Sequence, residues 1–378
     1  MQCLGRWRRS SRLQACLSRR TLRILGIEST CDESGIALID NDRIVWSKTA
    51  SQWDLVREHG GVVPILAARE HEVNLPLLFS SMLKQLHLQR NRDLSLDAVA
   101  VAAGPGLGPC LHAGLEFAKG ICEAFSAPLV AVNHLEAHLM INHHLREDLQ
   151  FPYLGLILSG GHTQAIVVKG LGQYELLGST MDDAIGEAYD KVARLLGIEP
   201  ENGCSAGRAL ERAAAASTRP NHFEFPVSML RRTDCNFSFS GLKAAVRREI
   251  EQLTAPLTKD VVADIACAFQ RSVIGQLRSR LRRALKARSD SGFTSIVLGG
   301  GVACNVAIQN CIKTVAEEHN LHFVCPPAQF CGDNGALIAY TGKMKFELGH
   351  RDPLTIGYQQ RWPLCYTATK AEVPTPTI

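Results

Sequence analysis

The sequence predicts an α/β protein with two lobes, and three observations support this. At 378 residues the chain is long for one hydrophobic core, since domains average about 150 residues. One hairpin pattern occurs twice, over residues 23–40 and 153–170. Buried strands followed by a Gly-rich loop and a helix also recur along the chain. Because alternating strands and helices are typical of α/β architecture, we expect two related halves.

The repeated hairpin has an apolar strand, a small polar turn and a second apolar strand. Its two copies are "RILGIESTCDESGIALID" and "YLGLILSGGHTQAIVVKG". Ser, Thr and Gly make up much of both turns, and their hydroxyl and backbone N–H groups suit an anionic ligand held between two lobes. Two ordinary hairpins would give the same pattern, so this observation alone leaves both interpretations open.

Two further segments combine a strand, a Gly-rich loop and a helix. "LDAVAVAAGPGLGP" (96–109) is a buried strand with a Gly/Pro loop, and the residues after it have helical spacing. "TSIVLGGGVACNVAIQNCIKTVAEEH" (294–319) has a strand, three glycines and a helix. This order directs backbone N–H groups and a helix N-terminus towards a ligand.

Residues from about 180 to 290 are expected to be mainly helical. The last helix of this stretch has an apolar stripe of Ile265, Phe269, Val273, Leu277, Leu281 and Leu285. It also carries Arg278, Arg280, Arg282, Arg283, Lys286 and Arg288. Such a charge run usually forms a solvated face, and an RNA contact is the alternative. After Gly349 the chain is polar and contains Pro, so we expect a poorly ordered tail.

The composition limits the possible classes of protein. With 46% hydrophobic and 21% charged residues the chain resembles an ordinary globular protein, and no apolar run reaches the roughly 18 residues of a membrane span. The 13 cysteines form no CxxC pair and no regular spacing, so we expect no disulfide framework and no zinc ribbon.

The first 25 residues differ from the remainder in charge. They contain seven arginines and no acidic residue before Glu28; without these arginines the chain has 34 basic and 37 acidic residues, a net charge of −3. Residues 1–22 therefore fit a mitochondrial transit peptide, which predicts a location in the matrix. A disordered basic tail is the alternative.

"VNHLEAH" places His134 and His138 four residues apart. On a helix they lie on one face, one turn apart, so both imidazoles can reach a single ion. A zinc protease needs a Glu directly after the first His, whereas Glu136 is two positions later and is expected to point away. Two surface histidines on a helix are the simpler alternative.

Nine motifs occur in one order within residues 23–345: "GIESTCDESG", "GGVVP", "AAGPGLGP", "VNHLEAH", "LSGGHTQ", "DDAIGEAYDKVARLLG", "NFSFSGLK", "GGGVACN" and "CGDNGALIAY". This set of motifs resembles that of the tRNA threonylcarbamoyladenosine synthases, the TsaD-type enzymes once classed as glycoproteases. The resemblance implies a two-lobed fold of the actin, hexokinase and Hsp70 class, with a duplicated βαβ core and a central cleft. It also implies lobes at 23–150 and 151–345, a helical insertion at about 180–290 and a tail at 346–378.

The resemblance further implies a reaction and its residues. A threonylcarbamoyl group would move from threonylcarbamoyl-adenylate to the exocyclic amine of the adenosine 3′ of the anticodon in tRNAs reading ANN codons, releasing AMP. The implied metal ligands are His134, His138 and Asp333. The implied substrate-binding residues are Ile157, Leu158, Ser159, Gly160, Gly161, Asp190, Gly207, Glu211 and Asn305. Asp32 and Glu33 match an acidic pair expected to move protons or to position substrate. Imidazole and carboxylate suit iron, zinc or manganese, and the family favours iron.

Partners and rival functions follow from the same comparison. By resemblance to the mitochondrial branch of the family, we expect a homodimer. A separate synthase is expected to make its donor, threonylcarbamoyl-adenylate. Because the chain without its leader is slightly acidic, tRNA is expected to bind local basic patches. Candidates for these patches are Arg231, Arg232, Lys243, Arg247 and Arg248. A kinase of the same fold class is disfavoured by Glu28, where such kinases usually carry Asp. A catalytically inactive tRNA-binding scaffold is disfavoured by the histidine pair and Asp333.

Overall fold

The structure, a computed structural model, describes residues 21–88, 94–199, 205–254 and 256–365. Residues 1–20 of the predicted transit peptide and residues 366–378 of the predicted tail lie outside the described residues. Among the helices that are described, none combines the length and the apolar composition needed to cross a bilayer.

The described chain contains ten strands and ten α-helices. The first half contains β1 (Arg23–Glu28), β2 (Glu33–Asp40), β3 (Arg43–Ser51), α1 (Trp53–His59), α2 (Pro64–Gln85), β4 (Ala98–Gly104), α3 (Gly108–Phe125), β5 (Leu129–Asn133) and α4 (His134–Leu145). The second half contains β6 (Tyr153–Leu158), β7 (Thr163–Gly170), β8 (Gln173–Ser179), α5 (Ile185–Leu195), α6 (Ala206–Ala215), α7 (Ser240–Gln252), α8 (Lys259–Ala287), β9 (Ser295–Gly299), α9 (Val306–Glu318), β10 (His322–Val324) and α10 (Gly335–Glu347).

The strands form two sheets of the same design. The first has the order β3-β2-β1-β4-β5 and the second the order β8-β7-β6-β9-β10. In each sheet three antiparallel strands are followed by two parallel ones, and a helix, α3 or α9, connects the parallel pair. The α/β class, the repeated hairpin and the duplicated core predicted from the sequence are therefore confirmed.

Four helices, α5 to α8, separate β8 from β9, as the helical patterns predicted. The apolar stripe of α8 is buried in the core of the second half, from Ile265 to Leu285. Its charged residues do not form one solvated face, however. Arg278 and Arg282 are exposed, whereas Arg280 is 1% exposed and packs beneath the loop that precedes α7.

Helices α4 and α10 lie between the sheets, and each packs against the sheet formed by the other half of the chain. Leu139 and Met140 of α4 pack against the second sheet, although α4 belongs to the first half of the chain. Leu337 and Ile338 of α10 pack against the first sheet, although α10 comes near the end. The lobes predicted from the sequence, 23–150 and 151–345, place each helix with the half of the chain in which it occurs. They therefore do not describe this exchange of α4 and α10.

Residues 349–362 run back along the first sheet. Asp352 forms a bridge to Leu129 of the edge strand β5, and its carboxylate accepts from the backbone N–H of Ala131 at 2.8 Å. The backbone N–H of Gln359 donates to the carbonyl of Ala103 at 2.8 Å. An edge strand has unpaired backbone groups, and Asp352 satisfies two of those on β5, the carbonyl of Leu129 and the N–H of Ala131. The expectation of a poorly ordered tail is therefore wrong for the residues up to 365.

Candidate metal centre

The three predicted metal ligands converge in the structure. Nε2 of His134 lies 3.2 Å from Nε2 of His138, and Oδ1 of Asp333 lies 3.4 Å from the first nitrogen and 3.1 Å from the second. Both rings are buried, and Asp333 reaches them from the loop before α10, 195 residues after His138. These three residues form the one metal-binding cluster found within the described part of the chain.

Asparagine side chains fix both segments that carry the ligands. Asn133 accepts from the backbone N–H groups of residues 135 and 136 at 3.0 and 3.2 Å, and so caps α4 directly before His134. Asn334 accepts from the N–H groups of residues 336 and 337 at the same distances, and caps α10 directly after Asp333. Such caps satisfy backbone donors that a helix start leaves unpaired. Each ligand is thereby held at a defined helix terminus.

The triangle of ligand atoms has the right size for a metal ion. Metal–ligand bonds of about 2.1 Å separate neighbouring ligands by about 3.0 Å in octahedral and about 3.4 Å in tetrahedral geometry. The observed separations of 3.1 to 3.4 Å lie in this range. Three ligands on one side leave coordination positions for water or substrate. The residues therefore fit a divalent metal ion.

Glu28 supports His134 from the side away from the triangle. Its Oε2 lies 3.0 Å from Nδ1 of His134, and its Oε1 accepts from the backbone N–H of Thr30 at 2.6 Å. The carboxylate is fully buried at the end of β1. A carboxylate bound to one ring nitrogen holds the proton there and leaves the other nitrogen free to bind a metal. In the sequence, Glu28 is only an argument against a kinase, and no local pattern indicates this second role.

The electrostatics of the centre favour a cation. Burial lowers the pKa of His134, but the carboxylates of Asp333 and Glu28 outweigh it and raise that pKa to about 9. Burial likewise raises the pKa of Asp333, but His134 and His138 hold it well below its usual range. Two carboxylates thus flank the imidazole, and either a proton or a metal ion can provide the positive charge.

Glu136 points away from the metal centre, as predicted. Its Oε1 accepts from the hydroxyl of Tyr174 at 2.6 Å and from the N–H of Gly172 at 3.1 Å, and its Oε2 lies 3.6 Å from Nζ of Lys345. It therefore joins α4 to the β7–β8 turn and to α10. A protease mechanism would need this carboxylate beside the metal, so the structure argues against that class.

The predicted acidic pair lies at the first hairpin turn, beside the metal ligands. Burial, Asp32 and Asp333 raise the pKa of Glu33 well above its usual range. The buried ring of His71 supports this turn, with Nε2 2.9 Å from the carbonyl of Cys31. A carboxyl group with a raised pKa next to a metal centre is suited to proton transfer.

Five predicted substrate residues lie at the end of β6 and in the second hairpin turn, and they fall into two groups. Gly160 and Gly161 are exposed, and no other atom lies within 4 Å of the position a Cβ would take at either glycine. Ile157 and Leu158 are fully buried in the core, so only their backbone can take part in binding. Ser159 lies between the two groups, and its Oγ accepts from the backbone N–H of His162 at 3.0 Å.

His162 ends this turn and was not identified from the sequence as a site residue. Burial lowers its pKa to about 4, and the rings of His134 and His138 contribute to the fall. The turn therefore lies close enough to the metal centre for charges there to act on His162. Its position directly after two open glycines is the one sequence signal that could have indicated this.

The remaining predicted substrate residues gather around the starts of α6 and α9. Oδ1 of Asp190 accepts from the N–H of Gly207 at 2.7 Å, and Oε1 of Glu211 accepts from the N–H of Val306 at 2.8 Å. Asn305 caps α9, and its amide donates to Gln270, a contact that the sequence did not suggest. Hydrogen bonds therefore link Asp190 to Gly207 and join Glu211 and Asn305 at the start of α9; their binding of substrate stays a prediction.

This cluster connects to the hairpin turns on both sides of the cleft. The N–H of Gly186, at the start of α5, donates to the carbonyl of Ser159 at 3.1 Å. Burial raises the pKa of Asp190, and the carboxylate of Asp32 in the other half adds to the rise. The cluster around Asp190 is therefore bonded to the second turn and lies close enough to the first turn for the charge of Asp32 to act on it.

Known proteins match this chain over most of its length. Residues 43–340 match the family model TsaD, tRNA N6-adenosine threonylcarbamoyltransferase. A relative of that name from Sinorhizobium medicae (strain WSM419) is 42% identical over 353 residues, covering 91% of this chain and 95% of the relative. Another from Methylorubrum populi is 43% identical, covering 93% of this chain and the whole relative.

Solved structures agree on the fold. The crystal structure of HypF from T. kodakarensis matches with a TM-score of 0.57 at 15% identity, covering 87% of this chain and 48% of that chain. This likeness concerns the fold alone, and it agrees with the α/β fold of two related halves described above. Given the family model and relatives above 40% identity, the chain belongs to the family of tRNA N6-adenosine threonylcarbamoyltransferases.

Proposed function

We propose that this transferase takes the threonylcarbamoyl group from threonylcarbamoyl-adenylate and attaches it to the adenosine 3′ of the anticodon in mitochondrial tRNAs that read ANN codons. The observation that supports this best is the convergence of His134, His138 and Asp333, which come from the two halves of the chain. It provides a metal site with open positions directly beside a Gly-rich turn.

The chemistry explains why such a site is needed. The lone pair of the adenine amine is delocalised into the ring, so the amine attacks only an activated acyl donor. In the transfer a bond forms between this nitrogen and the carbamoyl carbon, while the bond from that carbon to the phosphate oxygen breaks. The amine loses one proton, and AMP leaves with the electron pair. A metal ion at the centre supplies Lewis-acid polarisation of the donor's oxygens.

Residues of the chain bind the donor and accept the proton that the reaction releases. The open backbone at Gly160 and Gly161 can approach the phosphate of the donor. Asp190 and Glu211 can accept hydrogen bonds from its ribose hydroxyls. Glu33 is suited to take the proton that the amine loses, because burial and then the charge of Asp32 raise its pKa.

We propose iron as the resident metal. Two histidines and one carboxylate on one face of the ion, with the opposite positions open, are typical of non-haem Fe(II) sites. Zinc and manganese also bind such ligands. Metal analysis of protein purified without chelators identifies the ion.

The leader and the assembly complete the proposal. The acid-free, Arg-rich start supports import into the mitochondrial matrix, and a fluorescent protein fused to residues 1–30 should enter mitochondria. A fusion that stays cytosolic would contradict this. We also propose a homodimer that needs only a separate synthase for its donor; a fully active monomer in sedimentation would contradict the dimer.

The decisive experiment supplies purified, metal-loaded protein with threonylcarbamoyl-adenylate and unmodified tRNA. Nucleosides are then analysed by mass spectrometry. We expect threonylcarbamoyladenosine with wild-type protein and none with the variant Asp333→Ala. Binding of tRNA without any transfer would instead identify an inactive tRNA-binding homologue.

A further inference from the structure

An open groove of about 530 Å³ runs along the C-terminal part of α8, outside the metal centre and the cleft. The residues that line it are Val227, Leu230, Gly275, Arg278, Ser279, Arg282, Arg283 and Lys286. Four of the eight are cationic and none is acidic. The lining contains no aromatic side chain, so it is suited to charge rather than to stacking. The groove is a local basic surface on a chain whose charge beyond the leader is slightly negative.

The four cations of this groove share one nearby carboxylate, Glu318, which pairs with Arg282 and also acts on Arg278 through its charge. Arg282 forms a pair with Glu318 at 2.7 Å, and Arg283 donates to the carbonyl of Leu230 at 2.9 Å. Within the described ranges no carboxylate lies within 4.0 Å of the charged groups of Arg278, Arg283 or Lys286. Positions 278, 282 and 286 are successive i,i+4 neighbours, and like charges at this spacing destabilise a helix. A bound anion would remove that repulsion.

Arg280 fixes the other wall of the groove. Its guanidinium is buried and donates to the carbonyls of Met229 at 2.6 Å and Asp234 at 2.7 Å, while the carboxylate of Asp234 is 3.9 Å away. Burial of a guanidinium without a close carboxylate is costly. The loop it fixes carries Leu230 into the groove and holds two exposed arginines, Arg231 and Arg232. The groove is thus held in shape from beneath.

We propose that this groove binds the phosphate backbone of the tRNA while the target adenosine lies in the cleft. This inference rests on the proposed function. Helix α8 joins the two places, because Gln270, which contacts Asn305, precedes the cationic residues 278–286 by 8 to 16 positions on the same helix. At 1.5 Å per residue these cations lie about 12 to 24 Å along the axis from Gln270, so a folded RNA can contact both.

The test compares two triple variants of the full chain. The groove variant is R278Q/R283Q/K286Q, and the matched control R43Q/K48Q/K84Q removes three exposed cations from the first half. Affinity for an unmodified tRNA transcript is measured over a range of salt concentrations. For the groove variant we expect the affinity for tRNA to fall roughly 10- to 100-fold. The slope of log affinity against log salt concentration should become smaller in magnitude by about 2 to 3. KM for tRNA should rise while kcat at saturating tRNA is unchanged, and the control should behave like wild type.

Four other outcomes are informative. If the groove variant binds tRNA like wild type at every salt concentration, or if both variants bind tRNA equally weakly, the groove proposal is overturned. Transfer by the wild-type protein would still leave the proposed function intact. If tRNA binding depends on the groove but the wild type transfers nothing, the proposed function fails and the groove proposal stands. If the groove variant loses binding only to vesicles of anionic phospholipid, the groove is a membrane-binding surface and the proposal is overturned.

Discussion

Oε2 of Glu28 lies 3.0 Å from Nδ1 of His134, on the side of the ring opposite the Nε2 atom that faces Asp333. The end of the first strand therefore determines which nitrogen of this histidine is free to bind a metal. Glu28 and Asp333 come from opposite ends of the sequence, and His134 lies between their carboxylates. The metal centre consequently depends on the packing of three separate elements.

Glu28→Gln is expected to weaken metal binding by about 10- to 100-fold, as is common for partners of metal-binding histidines. A glutamine must satisfy both Thr30 N–H and the ring nitrogen, and its amide cannot accept from both as the carboxylate does. Metal affinity is measured by competition with a chelator of known strength. Glu72→Gln, at an exposed position of α2, is the matched control. Equal affinities of the two variants would contradict the role of Glu28.

His138→Ala and Asp333→Ala are each expected to abolish bound metal and transfer activity. Each change removes one of three ligands, and the ligands that remain cannot hold the ion in the same geometry. Metal content and transfer are measured on the same samples, and circular dichroism checks that the fold persists. His112→Ala changes an exposed histidine outside the triad and should retain both. Full activity of Asp333→Ala would refute the metal centre.

Gly26→Ala is expected to destabilise the protein by about 3 kcal/mol or more, because overpacking at a rigid contact cannot relax. A Cβ at this position of β1 would overlap the backbone of Gly335 and Ala339 in α10. Gly120→Ala is the matched control, since a Cβ there meets no other atom within 4 Å. In a helix this second change should stabilise by up to about 1 kcal/mol. Urea unfolding of both variants measures the difference; similar midpoints would show that α10 does not pack as described.

Asp352→Ala is expected to cost about 1.5 to 3 kcal/mol, the contribution of a hydrogen bond to a charged acceptor. The carboxylate accepts from the N–H of Ala131 and holds the C-terminal segment on β5. Hydrogen exchange of residues 129–133 should become faster. Asp290→Ala, at an exposed turn, is the control. Unchanged exchange in β5 would indicate that the segment does not protect this edge.

The sequence predicted the parts of the fold that local pattern determines. The two hairpins, the Gly-rich loops and the apolar stripe of α8 follow from periodicity and turn chemistry over short stretches. The pairing of His134 with His138 also follows from helical spacing. Asp333, 195 residues away, could be assigned only through the resemblance to a family, because no local pattern specifies a distant partner.

Features that depend on long-range packing were missed or predicted wrongly. Ile157 and Leu158 match the motif of a ligand site, yet their side chains fill the core, because strand residues before a turn are buried on both faces of a covered sheet. Arg280 belongs to a charge run that predicts a solvated face, yet it is buried by a loop 46 to 51 residues away. The contacts that bury it are not encoded in its own segment.

The crossing of α10 to the first sheet has a consequence for biosynthesis. A ribosome releases β1 to β5 some 200 residues before the helix that covers them, a delay of roughly 10 to 40 s at ordinary elongation rates. Throughout this interval the apolar face around Ile24 and Ile39 lacks its partner. The first half of the nascent chain therefore needs protection from aggregation until synthesis is almost complete. A product that ends before residue 335 lacks α10, so this face of its first sheet stays uncovered.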